Sequence, residues 1–261
     1  SDGGESMIPG IDRRGELRPS DLLRAFFFPA FAMFGAAAIV AIAYVATDFQ
    51  SDRWLLLHLL LLGGVSQLVI GVGQFFTCAF LATTPPPKKL ITAQAATWNA
   101  ATIAVAIGVM AELDPLVDAG ALGILAGLAL FAAGLRDMQR RSLQTARWAV
   151  RWLFASTAAL AIGAILGALL ARGTQLDDAN LLGAHLVLNV LGWLGGAIVG
   201  TLHTFFPSLT GTRLRFERLQ GPTFFGWIGG VWILAAAALL GSDALAVLGW
   251  ASLLLAGVLL A

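Results

Sequence analysis

Eight long apolar segments divide this chain, and they constrain its fold more than any other feature. Each is long enough to cross a bilayer, which takes about 20 predominantly apolar residues in a helix. They cover residues 22–47, 54–82, 90–112, 116–135, 147–171, 180–207, 221–241 and 243–261. The chain is 58% hydrophobic and 12% charged, whereas soluble domains are about 25% charged. We therefore predict an all-α, polytopic membrane helical bundle with eight transmembrane helices in contact with lipid.

Basic residues are confined almost entirely to alternate connections. Fourteen of the sixteen lysines and arginines precede the first segment or lie in even-numbered connections, and only Arg53 and Arg172 fall on the other side. The positive-inside rule then predicts a cytoplasmic N-terminus. The net charge of +1, with no basic tail, gives no indication of a nucleic-acid partner. A single cysteine, Cys78, excludes an intramolecular disulfide and every paired-cysteine metal motif.

An offset of 127 residues superimposes the second half of the chain on the first. His58 then falls on His185, and further matches are Gly73 with Gly200 and Thr77 with Thr204. An even number of helices per half predicts two parallel, pseudo-symmetric four-helix halves, with the second and sixth helices facing each other near the axis. The predicted units are a polar tail (1–21), a first half (22–135), a cytoplasmic linker (136–146) and a second half (147–261).

The two histidines at equivalent positions are the leading candidates for a cofactor site. His58 and His185 each lie a few residues into a helix that enters from the same membrane face. Two neutral imidazoles facing each other across the axis can be the axial ligands of one b-type haem. Glycines such as Gly196 and Gly200 would leave room for a flat macrocycle. The alternative is that each imidazole only bonds a neighbouring carbonyl, and glycines are also common in membrane helices without a cofactor.

Three other side chains are candidates for supporting roles. Asn189 lies one helical turn after His185, where it could orient a metal-bound imidazole or make an interhelical hydrogen bond. His203 lies 18 residues after His185, five turns along the same helix face, and the offset of 127 gives it Phe76 as counterpart. It is a candidate ligand for a second haem or for copper, and Cys78 is either its copper partner or a small buried residue.

The segment AHLVLNVLGW, followed by glycine and by GTLHTFFPSLTGTR, resembles a known signature. The pattern HxHLNxxGW…G…H…P occurs in membrane proteins related to subunit I of haem-copper oxidases. These relatives include the NnrS-like proteins of nitric oxide metabolism and the membrane portion of some bacterial multicopper oxidases. The resemblance implies that His185 is a ligand, that His203 is a candidate ligand, and that His58 is the partner across the bundle. It also implies a bacterial inner (plasma) membrane location.

The departures from that pattern limit what the resemblance implies. The first histidine of the HxH pattern is Gly183 here, and three histidines cannot supply the six that a full haem-copper oxidase uses. We therefore expect no oxygen reduction at a complete binuclear centre, and whether the protein is an enzyme stays open.

We predict a membrane protein that holds haem b, or alternatively copper, for electron transfer or for handling a diatomic gas such as nitric oxide. Its partners would be a redox protein or a cupredoxin domain, and it could form a homo-oligomer. The alternatives from other classes are a cofactor-free permease or copper transporter, and a structural subunit of a membrane complex. Against a proton-coupled carrier, no span has a charged residue at its middle.

Overall fold

The computed structural model describes residues 17–47, 53–143, 147–174, 179–202 and 217–260. Eight of its helices are long and apolar enough to cross a membrane, and no strand occurs among the described residues. The helices are α1 (Pro19–Thr47), α2 (Arg53–Phe80), α3 (Lys88–Met110), α4 (Asp114–Arg141), α5 (Arg147–Ala171), α6 (Leu181–Leu202), α7 (Gln220–Leu240) and α8 (Asp243–Leu260). The predicted all-α polytopic bundle is confirmed.

The helix ends agree with the predicted spans to within a few residues, except at the end of α4. This helix continues to Arg141 through most of the predicted 136–146 linker. No proline or glycine interrupts that run, and Arg141 pairs with Asp137 one turn earlier, with 2.8 Å between Nη2 and Oδ2. Arg141 also donates to the Thr84 hydroxyl and to the Pro85 carbonyl, which fixes the end of α4 against the proline-rich connection. The linker is therefore mostly helix in its described part.

The first turn of α6 is fixed by Asn180. Its side chain accepts a hydrogen bond from the Gly183 N–H at 2.7 Å, which is the usual action of an N-cap asparagine. Its own backbone N–H donates to the Ala238 carbonyl near the end of α7. Because these bonds fix the N-terminus of α6, they also help to position His185 in its second turn.

The packing contacts of the first four helices recur in the last four. Gly120 of α4 lies against the Ala101 carbonyl, and a Cβ built on it would be 3.1 Å from that oxygen; Gly249 of α8 lies at the same distance from the Gly230 carbonyl. The Trp98 indole N–H donates to the Leu62 carbonyl at 3.2 Å, and that of Trp227 donates to the Leu191 carbonyl at 3.1 Å. The two halves therefore share one packing scheme.

The offset between the halves is not constant along the chain. It is 127 at the two histidines but 129 beyond them, as in the step from Trp98 to Trp227. The difference arises in two π-helical segments, Leu59–Val65 with seven residues and Val187–Gly195 with nine. The second segment holds two extra residues, so every later position is displaced by two.

This change corrects the match of Gly200 that was made at a constant offset. Gly200 corresponds to Gly71 rather than to Gly73, because Gly71 packs on Phe26 of α1 as Gly200 packs on Trp152 of α5. His203 and Thr204 lie outside the described residues.

Apolar side chains cover the outer faces of the bundle. In α1, Phe28 and Val45 are 73% and 83% exposed, and in α8, Val258 is 74% exposed. In a protein that spans a membrane such side chains meet lipid, since water would make a continuous apolar surface of this kind unfavourable.

Candidate functional site

The imidazoles of His58 and His185 meet between α2 and α6. Their ring centroids are 6.3 Å apart and their planes are inclined by 28°. His58 is the last residue of the first α-helical part of α2, and His185 is the last but one of the first α-helical part of α6, so the two side chains come from similar positions in the two halves. The sequence predicted this pairing, and the structure brings the two rings together.

Each imidazole is oriented by a hydrogen bond from Nδ1. In His58 this nitrogen is 2.8 Å from the Trp54 carbonyl one turn earlier, and the Trp54 ring stacks on the imidazole with 4.1 Å between centroids. In His185 it is 2.8 Å from the Gly163 carbonyl of α5. A carbonyl can only accept, so Nδ1 of both rings carries the proton. In a neutral imidazole Nε2 then carries the lone pair that a metal needs. In His185 the Asn189 amide lies 3.2 Å from this atom and has to turn away when a metal binds there.

Two glycines of α5 make room for the α6 side chains. A Cβ built on Gly167 would lie 2.9 Å from Cε1 of His185, and one built on Gly163 would lie 2.1 Å from Oδ1 of Asn189. Any larger residue at either position would push the side chain opposite it out of place. We did not predict these glycines as site residues. Their spacing of four residues, which puts both on one helix face, was a signal that could have found them.

Asn189 lies against His185, as its spacing of one turn predicted. Its Nδ2 is 3.1 Å from Nδ1 and 3.2 Å from Nε2 of the imidazole. Its Oδ1 is buried and has no hydrogen-bond partner among the described residues. An unpaired buried polar atom is rare and calls for an explanation, which a bound group or water could supply.

A π-helical segment follows each histidine. The segments begin at Leu59, directly after His58, and at Val187, two residues after His185. π-Helical turns are rare and are frequently found at functional sites. Their occurrence at equivalent places in the two halves indicates that the local helix geometry is part of how the histidines are placed.

A cavity of about 520 Å³ opens beside the histidine pair. This is within the range of roughly 300–1,000 Å³ for small-molecule and cofactor sites. It is lined mainly by aliphatic side chains of α2 to α6, and Lys, Arg, Asp and Glu are absent from the residues that line it. At its wall Trp193 donates a hydrogen bond to the Ser66 hydroxyl at 2.9 Å, which links α6 to α2.

The distance between the two rings suits a metal held between them. A metal at about 2.0–2.1 Å from one nitrogen of each ring, with the two nitrogens on opposite sides of it, puts the nitrogens about 4 Å apart and the ring centroids roughly 6 Å apart. The observed 6.3 Å agrees with this spacing. Among the described residues no three His, Cys, Asp or Glu side chains come together. Two imidazoles are therefore the ligands that the described residues offer to a metal at this place.

The other predicted site residues lie elsewhere or outside the described residues. Gly196 and Gly200 pack on Ser156 and Trp152 of α5 and do not line the cavity, so their position does not support the cofactor contact predicted for them. Cys78 is buried near the far end of α2 with its sulfur 3.4 Å from that of Met138. The third predicted ligand, His203, is not among the described residues.

Comparison of the chain with protein families, with curated proteins and with solved structures found no match. Any function must therefore be argued from the geometry of this site.

Proposed function

We propose that the protein binds one b-type haem between His58 and His185 and transfers electrons in the membrane. The observation that carries this proposal is the pair of imidazoles 6.3 Å apart, each with Nδ1 held by a carbonyl and Nε2 left as the ligand atom. A haem held by both His58 and His185 would supply one-electron transfer, because the two histidines would leave its iron no place for a gas. Electron transfer is therefore favoured over the handling of a diatomic ligand such as nitric oxide.

The residues around the pair would each contribute one physical effect. The carbonyls of Trp54 and Gly163 keep both rings in one orientation, so little has to be reorganised when a metal binds. The aliphatic lining supports a large apolar ring and excludes water, which strengthens the electrostatic interactions at the metal. The Asn189 amide would help to fix the orientation of the His185 ring that it touches.

The same two nitrogens could also hold a copper ion, as the sequence suggested. The cavity beside the pair favours haem, because a single ion bound by two imidazoles leaves about 520 Å³ without an occupant. The proposal also includes the location of the protein and its electron partner. We infer a bacterial plasma membrane protein with a cytoplasmic N-terminus, supported by the distribution of basic residues, and a redox protein or cupredoxin domain as electron partner.

An absorption spectrum of the purified protein tests the proposal. The reduced-minus-oxidised difference should show a sharp Soret and α band, and His58→Ala and His185→Ala should each remove it. His203→Ala is the matched control, and the band should survive this substitution. A preparation that is colourless and takes up no haem on titration would falsify the proposal. One copper per chain without a haem band would instead support the copper alternative.

A further inference from the structure

Two arginines are separated from all other basic residues of the chain. Arg53 begins α2 and Arg172 follows the last residue of α5, so both lie at the membrane face from which the histidine-bearing helices start. Each is the direct neighbour of a residue that lines the cavity, Trp54 and Ala171 respectively. The two exceptions to the charge distribution therefore both lie at the rim of the proposed haem site.

Both arginines also lie at the same height above the histidines. Arg53 is five residues from His58, and Arg172 is five residues from Gly167, whose backbone lies against the His185 ring. Five residues correspond to about 7.5 Å along a helix. The two guanidinium groups thus start from backbone positions at one level, one at the start of α2 and one after the end of α5.

A b-type haem carries two carboxylates on one edge, and the cavity itself has no charged residue to bind them. An ionised carboxylate in an apolar cavity is strongly disfavoured unless it is paired. The carboxylate edge must therefore point to a rim that offers cations. Among the described residues, Arg53 and Arg172 are the basic residues at this end of the bundle.

Arg172 already holds a carboxylate in this structure. Its Nη2 bonds Oδ2 of Asp118, and the two side chains are 45% and 41% exposed. Asp118 is next to Val117 of α4, which also lines the cavity. An exposed pair of this kind contributes little to stability, so exchanging one carboxylate for another costs little.

We propose that Arg172 and Arg53 bind the two carboxylates of the haem, Arg172 by exchanging Asp118 for one of them. This rests on the proposed haem function and adds the orientation of the haem, with its carboxylate edge toward the face where α2 and α6 begin. Guanidinium is suited to this role because it can donate two parallel hydrogen bonds to one carboxylate.

Haem and haem dimethyl ester, which lacks the two negative charges, are the probes. Each is titrated into haem-free protein, and the ratio of the two dissociation constants is measured. Wild-type protein should bind haem at least about ten times more tightly than the ester, as expected for charge-assisted hydrogen bonds. Arg172→Gln and Arg53→Gln should each bring this ratio toward one, whereas Asp118→Asn should raise it by removing the competing carboxylate. Arg140→Gln, at the opposite end of α4, is the matched control and should leave the ratio unchanged.

The outcomes separate the two proposals. If both probes bind through His58 and His185 and the ratio is the same in wild type and in both arginine variants, the role of the arginines is overturned and the haem function stands. If neither probe gives a histidine-dependent spectrum, both proposals fail. A ratio that falls in Arg172→Gln, rises in Asp118→Asn and stays constant in Arg140→Gln supports the carboxylate exchange.

Discussion

The two halves of this molecule pack in the same way but orient their histidines differently. His58 is held by the Trp54 carbonyl and ring of its own helix, so α2 alone fixes it. His185 is held by the Gly163 carbonyl of α5 and fits against Gly167. Gly71 packs on Phe26 and Gly200 on Trp152, which sets the offset between α1 and α5 at 126. The α1 positions that correspond to the two glycines are therefore Ala37 and Ala41. The two repeated halves thus bring two equivalent histidines together, although different contacts orient each of them.

A second difference lies beside the pseudo-twofold axis that relates the two halves. The position in α2 that corresponds to Trp193 is Gly64, which is packed against Phe34 of α1. Trp193 is 1% exposed, donates to Ser66, and meets Phe131 edge to face at 6.3 Å between centroids. One large ring from the second half therefore occupies the contact between the halves.

Trp193→Ala should have the largest effect on stability of the changes that test this comparison. It would leave a cavity in the contact between the halves, and large-to-small changes of this kind cost about 3–5 kcal/mol. The free energy of unfolding in mixed micelles is the measurement. A loss below about 1 kcal/mol would show that the contact does not depend on this ring.

Gly167→Val should weaken haem binding about 10- to 100-fold, the range found when an outer-shell partner of a metal ligand is lost. The added side chain would clash with Cε1 of His185 and move the ring. Ala41→Val, at the corresponding position of α1, is the matched control and should have little effect, because His58 does not depend on α1 for its orientation. Haem titration followed by absorbance checks both variants, and equal losses would contradict the difference between the halves.

A polar contact of the first half has an apolar counterpart in the second. Gln67 and Asn99 bond each other reciprocally, at 3.2 and 3.1 Å, between α2 and α3. The corresponding residues are Gly196 and Ile228, which pack without a hydrogen bond, with Cδ1 of Ile228 3.6 Å from a Cβ built on Gly196. The packing scheme therefore does not require the amides.

Gln67→Leu should destabilise the protein by about 0.5–1.5 kcal/mol, because Oδ1 of the half-buried Asn99 loses its donor while Nδ2 keeps only the Ala95 carbonyl. The double variant Gln67→Leu/Asn99→Leu should recover most of that loss, since removing both partners of a buried hydrogen bond can be nearly neutral. Thermal unfolding of the purified protein measures both. No recovery in the double variant would mean that the amide pair itself stabilises the first half.

Trp193→Phe should have the smallest effect, a loss of about 0.6 kcal/mol, which is the average for interhelical hydrogen bonds in a membrane protein. It keeps an aromatic ring at the axis and removes the N–H that donates to Ser66. Comparison with Trp193→Ala in the same unfolding assay separates the hydrogen bond from the packing. Equal losses in the two variants would show that the hydrogen bond, and not the ring, links α2 to α6.

The sequence alone was sufficient for the number of helices, for most of their ends and for the pairing of His58 with His185. Hydrophobic length sets the spans, and a repeat places equivalent residues at equal depth, so neither requires knowledge of contacts. The predicted end of α4 at residue 135 was wrong. The charged residues from Arg136 to Arg141 were taken to mark a loop, although none of them breaks a helix.

The tertiary structure decided which groups surround the histidines. Gly163 and Gly167 are far from His185 in the sequence and come to it only because α5 packs on α6. Gly196 and Gly200 lie on the histidine-bearing helix but face α5, because the side on which a residue emerges depends on the helix turns before it. The π-helical segment changes those turns, since its bonds span five residues instead of four, and an apolar sequence gives no periodic signal of where that happens.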